Sequence, residues 1–205
     1  MQQIKNIILD FGKVLVDYDS IQLIRRITPD RERQEFLIRI IEDPAFVNRV
    51  DKGEQSLEEI LRELSLEYPD YAPEFAEYDR RYGEEVTGEI PGMRELLKKL
   101  KLQGYHLYGL SNWCSRAREV MREYHELFSM LEGYVLSSDI VINKPDAEIF
   151  RYLLGKYGLD AKECVFVDDK AKNVEAARKL GMQGIVFTDA RQLESYFFSS
   201  AIAAL

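Results

Sequence analysis

The sequence predicts an α/β protein: a doubly wound parallel sheet with a small helical cap inserted after its first strand. Two observations carry that expectation. Beyond Pro91, short continuous apolar runs alternate with segments of helical periodicity, the pattern of strands buried on both faces of a parallel sheet. Between residues 17 and 88, apolar residues recur at three- and four-residue spacing and strand signals are missing, so a helical block interrupts the alternation once.

Taken in order, residues 4–10 (IKNIILD) read as a buried strand that stops on Asp10, with Gly12 two residues further on. The helical block runs through IQLIRRI, ERQEFLIRIIEDPAF, SLEEILREL and PEFAEYDRRYGEEV, and Pro44, Gly53, Pro69 and Pro73 divide it into separate helices. After Pro91 and Gly92, MRELLKKLKLQG is a helix closed by Gly104, and YHLYGLS is the second strand. RAREVMREYHELF is helical, GYVLS a short third strand, DAEIFRYLLGKYG a helix, CVFVDD the fourth strand, AKNVEAARKLG a helix and GIVF the last strand. The expected division is a core of residues 1–16 and 89–205 and a cap of residues 17–88.

Composition narrows the function classes. A chain of 205 residues with 46% hydrophobic residues can bury a sizeable core. A net charge of −8 argues against general affinity for nucleic-acid phosphates. No apolar run approaches the roughly 20 residues a membrane helix needs. The N-terminus MQQIKN has no basic segment followed by an apolar one, so a cytoplasmic protein is expected, as monomer or homodimer. The apolar C-terminus YFFSSAIAAL is expected to pack on the core or on a partner subunit. Cys114 and Cys164 alone make no disulfide framework. With no third ligand in sight, His106 and His125 do not form a transition-metal site.

Ligands of doubly wound sheets bind beyond the carboxyl ends of the strands. There the chain places Asp10 after the first strand, Ser111 and Asn112 after the second, and Asp168 and Asp169 at the fourth, while Lys144 in INKPD follows the third. Each has an ordinary structural reading as a helix cap or turn residue. Their convergence on one sheet edge favours a site.

The order and spacing of LDFGKVL, LSN, NKPD and FVDDKAKN resemble the haloacid dehalogenase-like hydrolases over essentially the whole chain, with a Rossmann-like core and a helical cap between the first two motifs. The Gly12 form of the first motif and the wording RVDKGEQSLEE resemble the glucose-1-phosphatase-like branch. The resemblance implies a Mg²⁺-dependent phosphatase acting on a small phosphorylated metabolite, sugar phosphates above all. Asp10 would be the nucleophile that forms an aspartyl-phosphate, and Asp10, Asp168, Asp169 and the carbonyl of Gly12 would hold Mg²⁺. Lys144 would bridge Asp10 and the phosphoryl group, with Ser111 and the amides near Asn112 holding its oxygens. The physical need is plain: a carboxylate meeting a phosphate at about 4 Å is repelled by of order 4 kcal/mol per charge pair at an effective dielectric near 20. A cation and a lysine relieve that repulsion. Two alternatives remain at this level, a regulatory protein that binds without turnover and a metal-independent 2-haloacid dehalogenase. The adjacent acids Asp168 and Asp169 weigh against the latter.

One departure stands out. Where phosphatases of this family carry a second aspartate, two residues after the nucleophile, to protonate the leaving group, this chain has Gly12. Lys13 cannot replace a carboxylic acid, and Asp17 and Asp19, at the expected hinge into the cap, read as donors or as helix caps. A chain without the donor is expected to favour acidic leaving groups, aryl or anomeric phosphates, over phosphates of primary alcohols. A glycine at residue 12 also permits positive φ, where a side chain is costly. Arg49 reads as cleft-facing or as helix surface, and Trp113 as pocket wall or packing.

Overall fold

The computed structural model describes residues 3–202, with side chains described as far as Phe198. Strand β1 (Asn6–Leu9) is buried throughout and forms the middle of a five-stranded sheet. The chain then passes through a short strand β2 (Val16–Tyr18) into helices α1 (Ser20–Ile27), α2 (Arg31–Ile41), α3 (Pro44–Lys52), α4 (Leu57–Glu67) and α5 (Ala72–Arg81). It returns by β3 (Val86–Glu89) and continues as α6 (Met93–Leu102), β4 (His106–Ser111), α7 (Ala117–Glu123), α8 (His125–Phe128), β5 (Gly133–Leu136) and α9 (Ser137–Ile140). The remainder is α10 (Ala147–Tyr157), β6 (Cys164–Asp168), α11 (Ala171–Lys179), β7 (Gln183–Val186) and α12 (Ala190–Ile202).

The sheet order is β5-β4-β1-β6-β7, with every neighbouring pair parallel. The winding therefore leaves β1 to one side for β4 and β5, then returns to its other side for β6 and β7. The carboxyl end of β1 lies at that reversal, where open α/β sheets bind ligands. Successive residues of β1 face opposite layers: Ile7 and Leu9 pack with Leu97, Val165 and Leu193, and Ile8 packs with Leu110, Phe150 and Phe166. A separate apolar cluster, including Leu23, Leu37, Ile60 and Phe75, lies among the inserted helices. Those helices start on local signals. Asp43 caps α3 with Pro44 in the first turn, and Ser56 and Glu59 form a reciprocal capping box on α4.

The structure corrects the all-helical reading of the insert. Antiparallel β2 and β3 pair Val16 with Glu89, Asp17 with Gly88 and Tyr18 with Val86, making a two-stranded neck at the base of the inserted helices. Each run is too short to show a period of two, and each depends on the other, far away in sequence, for its hydrogen bonds. The segment RAREVMREYHELF, expected as one helix, is divided at Tyr124 into α7 and α8. At the C-terminus, Phe197 meets the Tyr105 ring edge-on with centroids 5.1 Å apart, and Phe197 and Phe198 pack on the core. The rest of the apolar tail, with the expectation placed on its side chains, lies outside the described side chains. Among the described residues no helix is long and apolar enough to cross a membrane.

Candidate active site

The first strand ends on an acid because the backbone, not the side chain, finishes the ladder. The Asp10 amide donates to Val167 O at 2.9 Å, and Phe11 then turns inward as fully buried core. The amides of Leu15 and Val16 return to Phe11 O at 2.8 and 3.0 Å, and the amide of Lys13, at φ 61, reaches Val16 O at 2.8 Å. The left-handed residue of this turn is thus Lys13 and not Gly12. What glycine supplies at residue 12 is space, since a Cβ there would lie 2.9 Å from Cε1 of Tyr18.

Lys144 is the centre of the floor. The residue is 4% exposed, and its ammonium donates to Asp168 Oδ2 at 2.7 Å and to Leu110 O at 2.9 Å and lies 2.9 Å from Asp10 Oδ1. Asn112 positions its backbone: Asn112 Nδ2 donates to Lys144 O at 3.0 Å, and the Lys144 amide donates to Asn112 Oδ1 at 2.7 Å. Asp168 is fully buried and satisfied, accepting from the Lys170 amide at 2.8 Å and from Asn173 Nδ2 at 3.0 Å on each oxygen. Asp10, Asp168 and Asp169 each offer an oxygen within 4.8 Å of the others. Ser111, at the end of β4, is buried, borders the same cavity and has no hydrogen-bond partner for its hydroxyl among the described residues.

Electrostatics separate these acids. Burial alone would raise Asp168, but the Lys144 ammonium, the Lys170 amide and Asn173 outweigh it and hold the carboxyl below its usual range. Burial pushes Asp10 up to about 6, with Lys144 opposing and the charge of Asp168 adding to the rise. Asp169 is raised by burial and by Asp168 beside it. Hard carboxylate oxygens, closely spaced and partly held in the ionised state, fit a small divalent cation such as Mg²⁺. A cation beside Asp10 and Asp169 favours their charged forms, which burial opposes.

The cavity above this floor has a volume of about 240 Å³ and is bordered by Asp10, Gly12, Ser111, Asn112, Trp113 and Lys144 below. From the inserted helices Glu42, Phe46, Val47, Val50 and Asp51 face it, with Tyr18 at the neck. Of the residues singled out in the sequence, Asp10, Gly12, Ser111, Asn112, Lys144, Asp168 and Asp169 come together here. The Asn112 side chain bonds the Lys144 backbone through both its nitrogen and its oxygen. Trp113 both walls the cavity and donates through Nε1 to the Tyr82 hydroxyl at 2.9 Å.

Other candidates fall elsewhere. Arg49 pairs with Gln55 and Glu63, away from the floor. Asp17 is held by Lys13 Nζ at 2.5 Å, which lowers its carboxyl, and Asp19 caps α1 by accepting from the Gln22 amide at 2.8 Å. Cys114 and Cys164 are buried free thiols, raised by burial. Lys170, Asn173, Glu42 and Asp51 border the cavity without having been singled out. Asn173 and Lys170 stand within the FVDDKAKN motif, so their proximity to Asp168 was a readable signal, whereas Glu42 and Asp51 reach the cavity only through the packing of the insert.

A parallel sheet with its acids and lysine on one edge, roofed by an inserted helical layer, is the architecture of a capped α/β hydrolase. A family model described as haloacid dehalogenase-like hydrolase matches residues 4–181, and the chain belongs to that family. It is 28% identical over 201 residues to D-ribitol-5-phosphate phosphatase from Bacteroides thetaiotaomicron, covering 88% of this chain and 90% of that one. A sesquiterpene phosphatase, astK, from Aspergillus oryzae is 36% identical over 97 residues, covering 47% of this chain and 50% of that protein. Flavin mononucleotide hydrolase 1 of Arabidopsis thaliana is 27% identical over 146 residues, 70% of this chain and 57% of that protein. The matches to these last two thus span only about half the length of the relatives themselves. Among solved structures, a haloacid dehalogenase family enzyme from Bacteroides thetaiotaomicron superposes with a TM-score of 0.75 at 21% identity, over 96% of this chain and 99% of that one, which shows the shared fold.

Proposed function

We propose that this protein is a Mg²⁺-dependent phosphatase that hydrolyses small phosphate monoesters, sugar phosphates foremost, through an aspartyl-phosphate on Asp10. The observation that carries the reading is the buried lysine bridge: one ammonium set between Asp10 and Asp168, with Asp169 within reach, on the floor of a cavity. Relatives named for ribitol 5-phosphate and flavin mononucleotide support a phosphomonoester as the substrate class. A cavity of about 240 Å³ suits a small metabolite rather than a polymer.

In this reading Asp10, Asp168, Asp169 and the Gly12 carbonyl would hold the cation. When bound, it neutralises charge shared between nucleophile and phosphate. The chain's own residues do the rest. Asp10 attacks phosphorus in line with the departing oxygen, and water later cleaves the acyl phosphate. Lys144, fixed by Asn112 and Asp168, holds a phosphoryl oxygen and offsets its charge. The Ser111 hydroxyl, unpaired beside the cavity, takes a second oxygen. Purified protein should release inorganic phosphate from an aryl phosphate only with Mg²⁺ present, and a panel of phosphorylated metabolites ranked by kcat/KM should place sugar phosphates first. Hydrolysis unchanged after chelation, or none of any ester with Mg²⁺, would sink the reading.

A further inference from the structure

The position that usually supplies the proton is closed off in this molecule. The Tyr18 ring fills the space a side chain at residue 12 would need, and Asp17 and Asp19 are engaged elsewhere. A different carboxyl faces the floor from above. Asp51, near the end of α3 in the RVDKGEQSLEE stretch, borders the same cavity as Asp10, Lys144 and Lys170. Building on the phosphatase reading, we propose that Asp51 of the cap is the proton donor to the leaving group and the acceptor of the proton from the attacking water.

The placement of Asp51 is built rather than incidental. Ser137 Oγ donates to Asp51 O and itself accepts from the Trp113 amide at 3.0 Å. Asn143 Nδ2 donates to Asn48 O at 3.0 Å and to Asn48 Oδ1 at 2.9 Å, one turn earlier on α3. Gly53 closes α3 in the left-handed conformation, and a Cβ there would lie 2.4 Å from the Cβ of Ser138, so this turn rests directly on α9. With its backbone fixed so firmly, the Asp51 carboxyl nevertheless has no hydrogen-bond partner among the described residues. An unpaired acid facing a cavity is available to a ligand.

Its surroundings suit proton transfer. Burial raises the carboxyl to about 7, while Lys170 and Lys144 oppose the rise and Asp10 adds to it. The other ionisable groups around it are Glu42, Glu85, Tyr18 and Tyr82 from the cap and its neck, and Cys114 from the loop after β4. The two other cap acids at this cavity are engaged: Glu42 accepts from Ser20 Oγ and Glu85 from the Tyr78 hydroxyl. The charged neighbours of Glu85 are Glu42, Asp51 and Asp19, all outside the floor, whereas Asp51 also faces Lys170, Asp10 and Lys144.

The steps balance. As a carboxylate oxygen of Asp10 bonds to phosphorus, the bond to the ester oxygen breaks, and that oxygen keeps the electron pair and takes the proton of Asp51. The alcohol leaves. Asp51, now a carboxylate, takes a proton from water as the water oxygen bonds to phosphorus and the bond to Asp10 breaks. Phosphate leaves with both carboxyl groups restored.

Leaving-group dependence tests this. Asp51→Asn matches the size of the native residue and its neutral form. With it, kcat/KM for a primary-alcohol sugar phosphate should fall by about 10²- to 10⁴-fold. For 4-nitrophenyl phosphate, whose leaving group departs without a proton, the fall should stay under about tenfold. Nitrophenolate should then appear in a burst of one equivalent per enzyme before a slow steady state, because water is no longer activated. Ser137→Ala, which loosens the Asp51 backbone but keeps the carboxyl, should show the same selectivity in milder form. Equal losses on both substrates would make Asp51 structural, no loss on either would remove it from the reaction, and both outcomes overturn the proposal. A parent enzyme inactive on both esters with Mg²⁺ would overturn the phosphatase reading itself, a result distinct from either.

Discussion

Floor and roof of the cavity are built on opposite principles. On the floor, Lys144 meets Asp10, Asp168 and a backbone carbonyl, and Asp168 accepts on both oxygens. On the roof, Asp51 is half-buried and its carboxyl pairs with nothing among the described residues, and its neighbours Phe46, Val47 and Val50 are apolar. Burying a charge costs several kcal/mol unless partners replace water. At Lys144 and Asp168 the floor meets that cost with partners and keeps the charges. The roof leaves it unmet, and Asp51 shifts toward the neutral form instead. One cleft thus has a fully partnered ion pair on one side and an unpartnered carboxyl on the other.

The contrast can be attacked from both sides. The largest effect is expected on the floor: Asp10→Asn should reduce phosphate release to background with a melting temperature close to the parent's, and a variant as fast as the parent would remove Asp10 as nucleophile. Lys144→Ala comes next. It leaves two buried carboxylates facing each other, so turnover should fall by orders of magnitude and stability by about 3 kcal/mol in urea unfolding. A surface turn lysine would be neutral on both counts.

Gly12→Asp sharpens the comparison by trying to move the acid from roof to floor. Because Tyr18 occupies the space, the single variant should lose activity and melt lower, whereas Gly12→Asp with Tyr18→Ala should recover part of both. A fully active single variant would mean that the ring yields easily. The smallest effect on turnover belongs to Glu85, raised by burial to about 7 although the Tyr78 hydroxyl opposes the shift. An acid raised in the folded state binds its proton more tightly there than in the unfolded chain. Stability contributed by that proton is therefore present below the unfolded value near 4.5 and lost as pH rises towards about 7. Glu85→Gln should flatten the parent's decline in melting temperature across that window while leaving kcat nearly unchanged. An unaltered decline would place the titration elsewhere.

The floor was legible in the sequence because each of its parts sits at a strand end or in a short motif next to one. Asp10 follows an unbroken apolar run, Asp168 and Asp169 close another, and parallel topology alone brings such ends to one edge. Lys144 was legible by the same logic, though not its burial, which depends on the Asn112 side chain and on Asp168. The roof was not legible. Asp51 is one acid among many on helical segments, and nothing within the sequence of α3 says which face meets the core. That choice is made by contacts distant in sequence, Ser137 to Asp51 and Asn143 to Asn48. The β2–β3 neck was hidden for a related reason, since neither short strand has a partner nearby in the chain.

The link from Ser137 to the backbone of Asp51 has a consequence for timing. In the proposed mechanism the nucleophile and cation ligands sit at the sheet edge, and the proton donor sits on α3 of the insert. Were α3 lifted from α9, a bound ester would meet Asp10 with no donor for its leaving oxygen, and a phosphorylated Asp10 would meet water with no base to activate it. Both half-reactions would then require α3 seated on α9. A substrate too bulky to let α3 settle on α9 would still occupy the floor and compete for it, yet be turned over slowly. Selection by size would then register in kcat more than in binding, so that good inhibitors and good substrates would differ chiefly in whether α3 can sit over them.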